Sequence, residues 1–446
     1  MHDTLFGDAP SEDTPVAHDS PRPAAPPPPR LRRPDRSQAL LRPCALDDLL
    51  PPGHQVRTLW AVVERLDLSA FHAPLKARGE APGRAATDPR LLVALWLWAA
   101  TRGVGSAREL ARLCGEHDAF RWLCGGVRVN HHTLGDFRTG HGQALDDLFT
   151  LVLAMLMGKG LVSVRRISQD GMRVRASAGD GSFRREQKLE AALAAAAAQV
   201  EALKAQADAP ANDERSARRR AARERAAADR QRRVEAALGQ LPELKAVKAK
   251  HNGKRSGRPP RASLTDAEAR TMKMPDGGFR PAYNVQLASD TGSRAIVGVA
   301  VSNLGTDQPQ SQPMREQVER RAGAGAKVEE HLMDGGFIKL EAIHEAETDG
   351  VRVYAPPKRT TAQPDPYAAQ PADTEATAAW RRRMGTVEAR AVYKLRASTS
   401  ETVNADLRTY RGLGRFLVRG LRKVRCAALW SALAYNLMHF GAALLS

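Results

Sequence analysis

Three carboxylic acids, Asp170, Asp334 and Glu401, lie at positions from which a metal-binding site could be assembled. Asp170 and Asp334 each follow a short run of residues typical of a β-strand, and Glu401 opens a basic segment with helical character. Mg²⁺ prefers carboxylate oxygens and retains several waters, so a site that cuts phosphodiesters needs acids from separate elements at one point. The pattern therefore favours metal-dependent cleavage of DNA.

The charge of the chain points to a polyanionic partner. The 446 residues carry a formal net charge of +18, and residues 214–262 hold sixteen Lys and Arg against five Asp and Glu. Binding to nucleic acid is favoured because each neutralised phosphate releases condensed counterions. An Arg-rich proteome would be the alternative cause. The segment from Lys254 to Arg261 fits either an extended arm in a minor groove or a solvated linker.

Cysteine usage and the chain ends indicate the compartment. Four scattered cysteines do not suggest a disulfide framework, and no secretory signal is visible at the N-terminus. The apolar run at 427–445 is interrupted by Asn436 and His439, which favours a buried helix over a membrane span. We therefore expect a cytoplasmic, nucleoid-associated protein without membrane contact.

Composition and periodicity divide the chain. Residues 1–44, rich in Pro, Asp and Arg, predict a disordered leader. Residues 45–160 carry apolar residues at helical spacing and predict an all-α N-terminal domain, with caps at Ser106 and Asn130. Its paired short helices could dock in a major groove or simply pack together.

The remaining residues, 161–440, predict alternating strands and helices around a long insertion. A helical insertion is expected at 180–262, and its apolar repeat at 189–203 fits either a dimeric coiled coil or intramolecular packing. The other elements, in order, are strands at 163–169 and 172–176, hairpin strands at 283–288 and 296–302, a helix at 311–321, a strand at 328–333, a helix at 338–348, a strand at 351–355 and a loop or lid at 356–378.

This order resembles a ribonuclease H-like core, which gives an α/β fold preceded by the all-α domain. In such a fold the first acid lies in the middle of the sheet and the second ends a neighbouring strand. The third comes from a helix packed on the sheet. The resemblance therefore implies that Asp170, Asp334 and Glu401 meet in space.

Several motifs resemble those of bacterial insertion-sequence DDE transposases, with the eleven-eighty-two-like group as the nearest branch. The similarity covers most of residues 45–440. Its motifs are Asp88-Pro-Arg-Leu-Leu92, Asn130-His-His-Thr-Leu-Gly-Asp-Phe-Arg138, Asp170-Gly-Met-Arg-Val-Arg175, Arg270-Thr-Met-Lys273, Gly277-Gly-Phe-Arg-Pro-Ala-Tyr-Asn-Val-Gln286, Met333-Asp-Gly-Gly-Phe337, Trp380-Arg-Arg-Arg-Met384 and Tyr393-Lys-Leu-Arg396.

The family's last signature is a Tyr, Arg, Glu, Lys series around the third acid. It maps onto Tyr393, Arg396, Glu401 and Arg408. Four residues rather than three separate Arg396 from Glu401, and Arg408 replaces the lysine, so Glu388 and Asp406 are the alternative third acids. The resemblance implies that Tyr393, Arg396 and Arg408 contact DNA near the scissile phosphate.

A row of arginines follows the third acid. Its members are spaced three, four, four and three residues apart, which predicts one basic face of a helix. They are Arg408, Arg411, Arg415, Arg419 and Arg422. The row could bind DNA or form a solvated face. Gly412, Gly414 and Gly420 weaken the helix and indicate that another group approaches closely.

The resemblance implies a transposase that binds the terminal inverted repeats of its element, cleaves them and transfers the strand. Two Mg²⁺ ions, for which Mn²⁺ may substitute, would be held by Asp170, Asp334 and Glu401. The partners would be double-stranded transposon ends and target DNA, bound by a homo-oligomer. A catalytically silent DNA-binding regulator and a nuclease without strand transfer are the alternatives.

A zinc site is the other metal centre that the residue types allow. Cys114, His117, Cys124 and the pair His131-His132 could supply ligands, but the spacing lacks a Cys-x2-Cys pair. Cysteines on apolar helix faces are the favoured interpretation.

Four further polar residues fall in the α/β region. Asp180 and Asp307 are expected to cap loops. Asn284 and Gln286 could contact DNA or cap the hairpin.

Overall fold

The computed structural model describes residues 45–75, 85–207, 214–250, 259–359 and 364–446. Residues from Ala45 onwards form one compact unit. The leader predicted at 1–44 lies outside the described residues, and so do residues 254–258 of the predicted basic arm and residues 360–363 of the predicted loop.

Helices alone occupy the described residues before the first strand. They are α1 Gln55–Arg65, α2 Ser69–His72, α3 Pro89–Thr101, α4 Ala107–Glu116, α5 Asp118–Cys124, α6 His131–Gly140 and α7 Gly142–Gly158. The Ser106 side chain accepts a hydrogen bond from the Glu109 amide, and Asn130 accepts one from Thr133. Both predicted caps are therefore confirmed.

In the part of the chain that the structure describes, eight strands form one large sheet and one short ribbon. They are β1 Arg166–Arg175, β2 Phe183–Arg184, β3 Ala262–Ser263, β4 Arg270–Lys273, β5 Phe279–Asp290, β6 Ile296–Ser302, β7 Glu330–Leu332 and β8 Arg352–Tyr354. β5 is antiparallel to β1, β4 and β6. β7 lies parallel between β1 and β8, so the large sheet is mixed. The hairpin of β5 and β6 is confirmed, whereas β4 is a strand that the sequence did not predict.

The register of the sheet determines where the first two acids lie. In the parallel pair β1–β7, Ser168 is level with Leu332. Two residues further along each chain, Asp170 and Asp334 are therefore neighbours across the sheet. Asp170 lies within β1 and Asp334 lies just past the end of β7, so the register and the turn after β7 together bring the two carboxylates near each other.

The remaining helices lie around the sheet or in the insertion. They are α8 Glu186–Ala207, α9 Glu214–Gly239, α10 Leu241–Lys250, α11 Ser311–Ala322, α12 Leu340–Thr348, α13 Glu375–Met384, α14 Val387–Arg396, α15 Thr402–Thr409 and α16 Leu421–Leu445. A π-helical turn, Ala397–Glu401, joins α14 to α15.

The helical insertion packs on itself. α8 lies against α9, and Leu189 of α8 is fully buried together with Ala237 of α9, Leu241 of α10 and Ala262 of β3. The short β2–β3 ribbon closes the base of the insertion. Of the two readings of the apolar repeat at 189–203, intramolecular packing is the one that the structure shows.

The last helix, α16, belongs to the core. It has the length and apolar composition of a membrane span, but most of its apolar stretch is buried in the protein. It packs against α1, α3, α7 and β6. The Asn436 side chain accepts a hydrogen bond from the Ile296 amide at 2.9 Å and donates one to the Ile296 carbonyl at 2.8 Å. The polar residue that interrupts the apolar run thus provides hydrogen-bond partners for both backbone groups of the first residue of β6.

The predicted basic helix after Glu401 is wrong. α15 ends at Thr409 and α16 begins at Leu421, so the arginine row is divided among two helices and the irregular segment 410–420. Arg408 lies in α15, Arg422 lies in α16, and Arg411, Arg415 and Arg419 lie between them.

Two glycines explain the break. Gly412 has φ of 76° and Gly103 has φ of 67°, and a Cβ on Gly412 would lie 3.1 Å from the Gly103 carbonyl oxygen. The positive φ values exclude helical backbone, and the two chains approach too closely for side chains. The close approach expected at these glycines is therefore made by the protein's own chain.

Candidate functional site

Asp170 projects from the middle of β1 towards the C-terminal helices. Alternate residues of a strand share one face, and Ser168, two residues earlier, places its Oγ 2.6 Å from the Ser400 Oγ in the π turn. Asn404 of α15 donates a hydrogen bond to Asp170 Oδ2 at 2.9 Å. The carboxylate is thus held between the sheet and these helices.

The residue after Asp170 must be glycine. A Cβ on Gly171 would collide with the side chains of Asp307, Gln286 and Asn284, which fill the other face of the sheet. Asp307 accepts hydrogen bonds from Asn284 at 2.7 Å, from Gln286 at 2.6 Å and from Arg173 at 2.7 Å. All three partners anchor this carboxylate directly behind the strand that carries Asp170.

This buried cluster corrects three predictions. The Asp307 side chain does not cap the turn that follows it, because it binds the sheet instead. Asn284 and Gln286 are fully buried, so neither offers its amide to DNA or caps the hairpin. Asp180 is the first residue of a short 3₁₀ turn, and no side-chain hydrogen bond caps the start of that turn.

Asp334 lies just past the end of β7. Its Oδ1 accepts a hydrogen bond from the Gly336 amide at 2.8 Å, which turns the chain away from the sheet. A Cβ on Gly336 would lie 2.9 Å from this oxygen. A side chain at position 336 would therefore displace the Asp334 carboxylate from this turn at the edge of the sheet.

The π turn aligns Glu401 with Arg396. Residues five apart in an α-helix are rotated by about 140° and face different directions. The i→i+5 hydrogen bonding of a π turn inserts one residue and brings such positions together. The Arg396 Nη2 accordingly lies 3.4 Å from Glu401 Oε1. The additional residue between Arg396 and Glu401 is accommodated in this way.

Arg396 also faces Asp170. Its Nη1 lies 3.7 Å from Asp170 Oδ2 and is buried without a hydrogen-bond partner. The guanidinium carbon lies 6.0 Å from the centre of the Tyr393 ring. Burial raises the pKa of the Tyr393 hydroxyl, and the nearby Asp334 and Asp170 carboxylates raise it further, while Arg396 opposes the shift. Tyr393 and Arg396 therefore adjoin both strand acids.

The electrostatics of Asp170 reflect these neighbours. Burial raises the pKa of its carboxyl to about 6, with Asp334 and Asp307 acting in the same direction and Arg396 opposing them. Asp170 thereby interacts with two other carboxylates and one guanidinium. Repulsion between Asp170 and Asp334 is the condition that a bound cation would relieve.

Comparison with known families finds transposase domains at both ends of the chain. Residues 44–140 match a transposase domain family, and residues 359–440 match the transposase DDE domain family. Both matches support an insertion-sequence DDE transposase. No curated protein and no solved structure matches it. The match at 359–440 covers the segment that carries Tyr393, Arg396 and Glu401, and it supports an enzyme of the transposase and nuclease type.

The donor set of the site suits a hard divalent cation in part. Asp170 and Asp334 present carboxylate oxygens at adjacent strand positions, which fits such an ion. Glu401 is exposed and pairs with Arg396. Within the described ranges, no three His, Cys, Asp or Glu side chains are grouped closely enough to hold a metal. The candidate zinc ligands around Cys114 and Cys124 are part of that negative result.

The other candidates for the third acid have different surroundings. Glu388 is exposed in the first turn of α14, and Asp406 pairs with Arg411 at 2.8 Å. Glu401 is the one of the three that contacts Arg396, and through Arg396 it is connected to Asp170.

The arginines expected to bind DNA differ in availability. Arg411 is only 10% exposed because its guanidinium binds Asp406. Arg408, Arg415 and Arg419 are exposed in the transposase. Arg415 lies beside Arg175 at the end of β1, and Arg419 donates a hydrogen bond to the Ser177 carbonyl.

Two residues of the site escaped the sequence analysis. Asn404 lies three residues after Glu401, so helical spacing could have indicated that both share a face. Asp307 was noticed but assigned to its own loop. Its role depends on contacts with Asn284 and Gln286, more than twenty residues earlier, which no local pattern reveals.

Proposed function

We propose that this transposase binds the terminal inverted repeats of its insertion sequence, cleaves the DNA there and transfers the strand to target DNA. The observation that carries the proposal is the convergence of Asp170 and Asp334 from neighbouring strands beside Arg396, which also contacts Glu401. We also propose the eleven-eighty-two-like group as its branch, because the Tyr393, Arg396, Glu401 and Arg408 series follows that group's signature.

The order of the strands supports a ribonuclease H-like core. Three antiparallel neighbours, β6, β5 and β1, are followed by the parallel strands β7 and β8. We assign residues 161–440 to this catalytic domain with its insertion at 180–262, and residues 45–160 to a helical domain with a DNA-binding role. The α/β alternation after β6 supports this assignment.

Asp170, Asp334 and Glu401 would hold the divalent cations, for which two Mg²⁺ ions are proposed and Mn²⁺ is a substitute. Bound ions would activate the attacking oxygen and stabilise the leaving 3′ oxygen. Arg396 favours the ionised form of Asp170, which is the form that can bind a cation. Asn404 fixes one Asp170 oxygen by donating to it.

Arg396 has a second role in the proposal. Its buried Nη1 has no hydrogen-bond partner, and a buried unpaired donor is costly. A phosphate oxygen held between the acids would accept from it. Tyr393, which lies beside the guanidinium, would border the same phosphate. The protein then positions the linkage and balances charge, which is its main contribution in phosphoryl transfer.

The partner in this proposal is double-stranded DNA, at the transposon ends and at the target. The exposed Arg408, Arg415 and Arg419 would bind backbone phosphates near the site. We propose a homo-oligomer on DNA, since two ends have to be joined in one complex. Such an enzyme would act on DNA in the nucleoid, within the cytoplasm.

Plasmid cleavage tests the proposal. Purified protein is incubated with Mg²⁺ or Mn²⁺ and a plasmid that carries the two ends of the element, and nicked and joined products are quantified. Asp170→Asn should abolish both products while end binding stays within about twofold, because the carboxylate is a metal ligand and not a DNA contact. Asp276→Asn, a change of an exposed turn acid that pairs with Arg280, is the matched control and should retain activity. Full activity of Asp170→Asn would refute the assignment.

A catalytically silent DNA-binding regulator is the second candidate. It is favoured by the position of Glu401, which is exposed and paired with Arg396 instead of grouped with the other acids. Such a protein would bind end DNA but yield no nicks with either metal. Nicks without joined products would instead indicate a nuclease that lacks strand transfer.

A further inference from the structure

A small cavity lies where the helical insertion meets the segment between α15 and α16. It has a volume of about 290 Å³, and Arg230, Arg233 and Arg419 line it together with Val234, Leu264 and Thr265. Arg230 and Arg233 come from α9, whereas Arg419 comes from the irregular segment almost two hundred residues later. Three guanidinium groups from two distant parts of the chain thus converge on one space.

Two of the three arginines have no carboxylate partner among the described residues. Arg230 and Arg233 form no ion pair with any residue that the structure describes, whereas their neighbour Arg232 pairs with Asp229. Arg419 donates to the Ser177 carbonyl at 3.3 Å and interacts electrostatically with Asp266, which is itself buried and bound to the Tyr283 hydroxyl. Like charges in one cavity repel unless an anion is bound.

The cavity continues a basic stripe along α9. Arg219, Arg223, Arg230 and Arg233 follow at intervals of four, seven and three residues, which places them within an arc of about 80° on the helix. Val234 and Ala237 are buried, so the insertion packs this helix firmly beside the arginines. A stripe of this kind on a packed helix is suited to follow a nucleic-acid backbone.

Arg419 connects the cavity to the chain segment that follows the strand carrying Asp170. Ser177, which binds Arg419, is seven residues beyond Asp170, and an extended chain of this length spans at most about 23 Å. Successive phosphates of one DNA strand are about 3.4 Å apart along the helix axis. The Ser177 backbone, which Arg419 binds at one side of the cavity, therefore lies within the length of about six or seven nucleotides of Asp170.

We propose that Arg230, Arg233 and Arg419 form a pocket for one backbone phosphate of the DNA whose scissile linkage lies at Asp170. This proposal rests on the proposed function. In it, the insertion holds the duplex in place within about seven nucleotides of the cut. Arginine suits it because its planar group donates two parallel hydrogen bonds to a phosphate.

Binding of end DNA to paired variants tests the pocket. The double variant Arg230→Gln with Arg233→Gln removes two charges at the pocket. The control, Arg225→Gln with Arg232→Gln, removes two from the same helix outside the pocket lining, since Arg225 lies about 120° from the stripe. Fluorescence anisotropy of the full-length protein with an end duplex is recorded over a series of salt concentrations. The pocket variant should bind at least about tenfold more weakly, with a salt slope lower by about one because one phosphate contact is lost, and the control should change by less than about threefold.

A scan with neutral linkages locates the phosphate. Methylphosphonates are placed singly at each position from the cut to the tenth nucleotide. For the wild type, one substitution at or before about the seventh nucleotide should weaken binding, and the pocket variant should show no further loss there. Equal losses in the pocket and control variants, or a scan in which both proteins respond alike, would overturn the pocket. If the wild type neither binds nor nicks end DNA, the proposed function fails as well, which separates the two cases.

Discussion

The Arg396 guanidinium lies 3.7 Å from the Asp170 carboxylate, across the boundary between the sheet and the C-terminal helices. This contact connects the first acid of the site to the helix that carries the third. Because Arg396 also contacts Glu401, one cation holds together the acids that chain order places more than two hundred residues apart.

Removing this guanidinium should shift the pH dependence of cleavage. Asp170 has a pKa of about 6, and Arg396 opposes the rise. In Arg396→Gln the pKa of Asp170 should be higher still, so ionisation, which cation binding requires, occurs at higher pH. We expect the acidic limb of the rate profile to move to higher pH by about one unit or less, alongside a lower plateau. Lys394→Gln, at an exposed position of α14, should leave the limb in place. An unshifted limb in an active Arg396→Gln protein would contradict the contact.

The same carboxyl should make metal-free stability depend on pH. The pKa of Asp170 is higher in the folded protein, about 6, than its ordinary value of 3.8. The folded state therefore binds more protons between these values, and its stability falls as pH rises from about 4 through about 6. Asp170→Asn removes this fall in stability, because asparagine does not ionise. In chelator it should be more stable than wild type by up to about 3 kcal/mol at pH 7.5, and the gain should vanish near pH 4. Denaturant unfolding at the two pH values measures the difference, and a gain independent of pH would argue against the buried carboxylate.

The π turn leads to a prediction about insertions and deletions. Deleting Ser398, an exposed residue of the turn, should convert it to α-helix and bring Arg396 and Glu401 to i and i+4, which also share a face. Inserting an alanine at the same place should separate them. We expect the deletion to cost less than about 1 kcal/mol and to retain cleavage, while the insertion abolishes it. Thermal unfolding and plasmid nicking provide the measurement. Equal loss in both proteins would show that the π turn is not the cause of the alignment.

Gly412 and Gly414 should respond differently to a methyl group. Alanine at 412 requires φ of 76° and places Cβ 3.1 Å from the Gly103 carbonyl oxygen, so Gly412→Ala should destabilise by about 1–3 kcal/mol. Alanine at 414 meets the Arg408 carbonyl oxygen at 3.8 Å, an ordinary contact. Gly414→Ala should be neutral within about 1 kcal/mol. Urea titrations of both variants test the pair, and a tolerant Gly412 would remove the reason given for the helix break.

Local patterns in the sequence predicted much of the architecture. Capping residues such as Ser106 and Asn130, and the alternation in β5 and β6, specify their elements through neighbours a few residues away. Asp170 and Asp334 were located because each follows a recognisable strand. Their mutual approach stays a consequence of register, which the sequence predicted only through the resemblance to a known core.

The failures have a common physical cause. Arginine spacing between 408 and 422 satisfied helical periodicity, yet Gly412 meets Gly103 in the turn after α3, and this tertiary contact overrides the pattern. β4 was missed because four residues with two charges do not form a distinctive strand. Asp307 was assigned to a loop because its partners lie on β1 and β5, where only the folded sheet brings them together.

The last prediction concerns Asn436, the amide that joins α16 to the start of β6. Its side chain is 1% exposed and makes one hydrogen bond to each backbone group of Ile296. Asn436→Ala would leave a buried amide and a buried carbonyl without partners, at about 1–3 kcal/mol for each unsatisfied group. We therefore expect a loss of about 2–5 kcal/mol in the free energy of unfolding. Gln312→Ala, which removes an exposed amide on α11 that contacts Glu316, should change stability by less than about 0.5 kcal/mol. Because β6 lies against α16 as well as β5, faster hydrogen exchange at Ile296 should accompany the loss, and unchanged exchange there would place the effect elsewhere.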